Sequence, residues 1–78
     1  MTITPEQCRG ARAMLGISRE RLALAAGLVD RTIAYFEARE RMPMPETVHA
    51  IRRALEEAGA IFIACDEPGV RLRKGIRP

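Results

Sequence analysis

The stretch LALAAGLVDRTIAYF, residues 22–36, holds two short helix-like runs separated by a single glycine, Gly27. No ordinary loop fits between them, so the chain must turn through Leu28 and Val29 and start a new helix at once, the helix-turn-helix arrangement. Counting from Arg19 as one, Leu22, Ala23, Ala26, Gly27, Leu28, Ile33 and Phe36 occupy positions 4, 5, 8, 9, 10, 15 and 18. Position 5 must be small because the helices cross there. Position 9 needs a positive φ, which glycine adopts at little cost. The others supply a shared apolar core. Meeting all seven requirements is far more restrictive than a lone glycine.

The flanking sequence is helical too. Thr4 reads as a cap, Pro5 as a first-turn residue and Gln7 as the partner in a capping box. Cys8, Ala11, Met14 and Leu15 then repeat at helical spacing, and Gly16 ends the run. Ser18 caps the second helix, Gly27 ends it, and the third is predicted from about Asp30 to Ala38. Prolines at 43 and 45 delay the fourth helix to Pro45, from which it runs to about Ala58. AIFIAC, DEPG and VRLR then read as a strand, a turn and a strand. The expected fold is mainly α: four short helices with a central helix-turn-helix, plus a C-terminal β-hairpin. A single domain is expected over 1–78, with a helical core at 4–58 and the hairpin and basic tail at 60–78.

The hairpin raises a packing problem. Ile61 and Ile63 point to one face and Phe62 to the other, so neither face is polar. An isolated two-stranded hairpin is marginal in water, and an apolar edge invites pairing. One face is therefore expected on the helices, and the other face or the edge against a second copy. Ile61, Phe62 and Ile63 are the candidate homodimer interface.

Charge is unevenly spread. Four of the 13 bases (Arg71, Arg73, Lys74 and Arg77) lie in 69–78 without an acid, so residues 1–68 hold nine bases against ten acids. A polyanion would be met by local basic groups and the tail. Cys8 and Cys65 lack a CxxC partner and His49 is the only histidine, so zinc sites of the Cys2His2 kind are excluded on count and reduced thiols are expected. No cofactor or metal is expected. No apolar run approaches the roughly 20 residues of a membrane helix. The N-terminus lacks the basic head and apolar core of an export signal, which makes the cytoplasm the expected compartment.

With these residues in view, ARAMLGISRERLALAAGLVDRTIAYFEARERMP resembles the lambda-repressor-like, or XRE-type, helix-turn-helix domains of bacteria and phages, over about residues 4–55. The resemblance implies a bundle of short helices that binds double-stranded operator DNA, usually as a dimer, and regulates transcription. It implies a structural ion pair between Arg12 and Glu37. It places Ser18, Arg19, Arg39 and Arg41 at phosphates and Asp30, Arg31, Thr32 and Tyr35 at base edges. Arg31 suits guanine O6 and N7, and the Thr32 methyl suits thymine. Asp30 suits cytosine N4 or, equally, a capping role, because Val29 stands where the family often has serine or threonine. Capping by Asp30 is the preferred reading, with the helix start shifted by one residue.

Two other classes compete with this reading. An enzyme needs a nucleophile beside a base; His49 reads as a surface residue, and Glu56 and Glu57 diverge by about 100° on their helix. A protein-binding module such as an antitoxin or antiactivator is the alternative, and a protein partner in addition to DNA is allowed. A partner-binding third helix should show an apolar stripe, whereas Asp30, Arg31, Thr32 and Tyr35 are polar.

Overall fold

Thr4 opens the chain's first helix as a full capping box. Its hydroxyl accepts the Gln7 N–H at 3.0 Å, and Gln7 Oε1 accepts the Thr4 N–H at 2.9 Å. In the computed structural model, which describes residues 2–64 and 67–76, this helix is α1 (Pro5–Leu15). It is followed by α2 (Arg19–Ala26), α3 (Asp30–Glu37), α4 (Pro45–Ala58), β1 (Ala60–Ile63) and β2 (Gly69–Leu72). The fold is the mainly helical one expected, with the antiparallel hairpin at its C-terminal end. Cys65, the Asp66 of the turn and Arg77 of the basic tail lie outside the described residues.

Gly27 carries the bend between α2 and α3. Its φ is +73°, and the backbone there closes with the Leu28 N–H donating to the Ala23 carbonyl at 2.8 Å. Leu22, Ile33 and Phe36 are fully buried beside Cys8, Ile51 and Leu55. Each large apolar side chain so buried contributes roughly 1.5–3 kcal/mol, and together they lock α2 and α3 onto α1 and α4. Met14 departs from the expected stripe: it is 37% exposed, while Cys8, Ala11 and Leu15 face the core.

The hairpin pairs Ala60 with Leu72, Ile61 with Arg71, Phe62 with Val70 and Ile63 with Gly69. Side chains alternate across a strand. Ala60 and Phe62 are therefore buried with Val70 and Leu72 packed beside them, whereas Ile63 is 39% exposed. Phe62 is thus a core residue, which corrects its expected place at a dimer interface. Ile61 is half-buried and faces outward with Ile63. At Gly59, with φ +124°, a Cβ would meet the Ile76 side chain at 2.7 Å, so the tail folds directly over the α4–β1 junction. Among the described residues no helix is long and apolar enough to cross a membrane.

Candidate nucleic-acid interface

The outward face of α3 is set by how that helix begins and what braces its far end. Helix α3 starts at Asp30, and Val29 holds the cap position without a side-chain hydrogen bond. The expected capping role of Asp30 is therefore corrected: it is the first helical residue. Its Oδ1 lies 3.8 Å from the Arg19 Nε, buried and without a hydrogen bond. A carboxylate in a first helical turn is favoured by the macrodipole even without a capping bond. Ser18 does cap α2, its hydroxyl accepting the Arg21 N–H at 3.0 Å.

Glu37 anchors the C-terminal end. Arg12 grips its carboxylate with Nε–Oε2 and Nη2–Oε1 both at 2.7 Å. The Cys8 thiol donates to Oε2 at 3.1 Å, and Arg9 donates to the Glu37 carbonyl at 3.0 Å. Arg12 also reaches the Ile17 carbonyl at 3.2 Å, so one side chain ties α1, the start of α2 and the end of α3. Burial pushes the Glu37 carboxyl up, but the bonds from Arg12 and Cys8 outweigh it and hold the group below its ordinary range. Burial, and after it the Glu37 carboxylate, raises the Cys8 thiol far above its usual value. A protonated thiol is a donor and a poor nucleophile.

Between these anchors, Arg31 is exposed and Thr32 and Tyr35 are half-buried. With Arg41, Met42, Pro43 and Met44 they line an open cleft of about 320 Å³. Arg41 stacks on the Tyr35 ring at 4.9 Å from its centroid, a contact worth about 0.5–1 kcal/mol at an exposed site. It folds the segment after α3 back along the helix. The structure thus gathers Arg31, Thr32, Tyr35 and Arg41 into one surface, with Arg19 and Asp30 at its leading end.

Arg39 is placed differently. It follows the cap residue Ala38 in a left-handed conformation, φ +59°. The Arg39 N–H donates to the Phe36 carbonyl at 3.1 Å and the Glu40 N–H to the Tyr35 carbonyl at 2.9 Å. These are the two bonds of a Schellman ending, in which glycine usually holds the left-handed place. The guanidinium turns toward α1 and makes a bidentate pair with Glu6 at 2.6 and 2.9 Å. That bond is the chief cause holding the Glu6 carboxyl below its ordinary range.

Sequence reasoning missed Met42 and Met44, 72% and 66% exposed, and the partners Glu6 and Arg9. The methionines beside prolines 43 and 45 were a visible signal, since apolar side chains in a segment barred from helix have no core face to join. His49 is exposed on α4, next to a shallow hollow lined by Thr2, Pro45, Glu46, Val48 and Arg52. The chain matches no family model, and no curated protein is significantly similar to it.

Proposed function

We propose that the chain is a sequence-specific double-stranded-DNA-binding transcriptional regulator of the lambda-repressor-like kind, acting in the cytoplasm. It sets α3 into the major groove and binds a roughly palindromic operator as a homodimer. The observation that carries this reading is the outward surface of α3. Arg31, Thr32 and Tyr35 stand together on a short helix fixed at one end by the Gly27 turn and at the other by the Arg12–Glu37 pair. Major-groove recognition needs such a rigid polar rod, because base edges are told apart by donor and acceptor patterns.

Arg31 reads guanine and Thr32 a thymine methyl in this scheme. Arg19, Ser18, Arg39 and Arg41 meet phosphates, which position the protein without selecting sequence. Now that Asp30 is freed from capping, its carboxylate is available to cytosine N4 at the leading end of α3. The molecule measures 31 × 28 × 18 Å. A dimer that reads both halves of such a site must hold its two α3 helices roughly 34 Å apart, one DNA turn, or a multiple of it. Ile61 and Ile63 on the outer face of the hairpin supply the apolar contact between copies.

A protein-binding module, such as an antitoxin or antiactivator, is the second reading. Its specific support is the exposure of Met42 and Met44 beside α3 and of Leu24 at 80% on α2. Selection from a random duplex pool separates the two. Enrichment of a two-fold symmetric site with half-sites about 10–10.5 bp apart, or a multiple of that, supports the DNA reading. Recovery of unselected sequence at physiological salt sinks it.

A further inference from the structure

Arg39 holds the left-handed place of the Schellman ending, where two backbone bonds offset the strain and fix where its side chain leaves the helix. A side chain in the left-handed region is strained, and an exposed ion pair returns little. Both partners of the Arg39–Glu6 pair are more than half exposed. Arg9 approaches the same carboxylate, its Nη2 lying 3.8 Å from Glu6 Oε2. Arg9 is itself fixed by its bond to the Glu37 carbonyl, and Arg39 by the Schellman ending. Two anchored guanidiniums therefore converge on one exposed carboxylate at the C-terminal end of α3.

We propose that Arg9 and Arg39 form a phosphodiester site whose resident occupant, Glu6, is displaced by the DNA backbone. The proposal rests on the DNA reading above, and it adds Arg9 as a contact and Glu6 as a built-in competitor. The geometry suits the exchange. A guanidinium accepts a carboxylate or a phosphate through the same bidentate pair of N–H donors. One carboxylate balances only one of the two cations, so a singly charged phosphodiester replaces it without leaving a charge deficit. Glu6 keeps Arg39 aimed in the free protein and lowers the affinity for all duplexes alike, which leaves discrimination to Arg31.

The test is a double-mutant cycle on DNA binding with Glu6→Gln and Arg39→Gly, read on the selected operator and on an unrelated duplex. The left-handed backbone at residue 39 accommodates glycine, so that variant keeps the fold; thermal unfolding of each variant checks this. Glu6→Gln is expected to tighten both duplexes severalfold. The gain should appear mainly in affinity, because wild type and variant make the same phosphate contact and the salt slope follows the number of contacts. In the Arg39→Gly background the gain should shrink, and Arg9→Gln should weaken both duplexes and flatten the slope. Equal gains with and without Arg39 would overturn the proposal, because the effect of Glu6 would then be general charge. If sequence-selective binding is intact and Glu6→Gln leaves the affinity unchanged, the proposal fails and the DNA reading stands. If no variant binds duplex DNA, both fall.

Discussion

The guanidinium of Arg12 and the carboxylate of Glu37 face each other through two parallel hydrogen bonds of 2.7 Å, with 20% and 6% of their side-chain surfaces exposed. Removing one member of so enclosed a pair leaves the other charge in a poor solvent. Arg12→Met should therefore cost about 3 kcal/mol. Arg12→Met combined with Glu37→Leu should cost less than the sum of the two single changes. Chemical denaturation of the three variants measures this.

The same pair makes stability depend on pH. Glu37 titrates below its ordinary value of 4.5 in the folded chain. Its stabilisation is thus complete above that pH and is lost as pH falls through the lower, folded value. Melting temperature should be flat from pH 7 to about 5 as far as this group is concerned, then fall. The acid limb should be shallower in the Arg12→Met, Glu37→Leu double variant.

Val29 occupies a cap position that it cannot fill. Serine there supplies the missing acceptor for the N–H groups of the first turn of α3, so Val29→Ser should stabilise the chain by about 1 kcal/mol. Val29 is 58% exposed, which makes the apolar surface lost small. A destabilised variant by thermal melting would show that no missing acceptor at residue 29 limits stability.

At residue 39 glycine and alanine should part company. Arg39→Ala keeps the strained backbone and loses the pair with Glu6, which is too exposed to matter much for stability. Arg39→Gly relieves the left-handed strain and should be roughly 1 kcal/mol more stable than the alanine variant. Urea denaturation decides it.

Neighbours on β1 should act on different levels of structure. Phe62 belongs to the core, so Phe62→Ala should cost about 3–5 kcal/mol. Ile63 is exposed on the outer face, so Ile63→Lys should leave the melting temperature of the monomer nearly unchanged while abolishing the proposed dimer. Sedimentation at micromolar concentration reads the second effect. A dimer that survives Ile63→Lys would move the interface elsewhere.

Arg31→Ala should weaken operator binding by about 1–3 kcal/mol and relax the choice of base at one position in each half-site. A repeated selection with an unchanged preference at every position would remove Arg31 from base reading.

Much of this architecture was written locally. The Thr4–Gln7 box, the Ser18 cap, the glycine at 27 and the proline at 45 each act within four residues, so the element boundaries follow from short-range chemistry. The Met14 error has the same origin: helical spacing marks a stripe but does not say which member sits at its rim. What the sequence hid is long-range. The pairing of Arg39 with Glu6 spans 33 positions, and no periodicity announces it. The left-handed state of Arg39 was equally invisible, because arginine is not the residue that such an ending calls for. The candidate surface on α3 was legible as a set of residues, but the folding back of Arg41 onto Tyr35 depends on the two prolines steering the chain after α3.

One side chain deserves a final consequence. Besides completing the box with Thr4, Gln7 donates through Nε2 to the carbonyls of Ile63 and Gly69, at 3.2 and 2.8 Å. The amide that starts the first helix is thus also a clasp on the turn end of the hairpin. Prising the ribbon away would unfasten the opening turn of α1, which carries Glu6 and leads to Arg9 and Arg12. The proposed assembly of two copies and the proposed grip on a duplex, though served by opposite parts of the chain, would then loosen together.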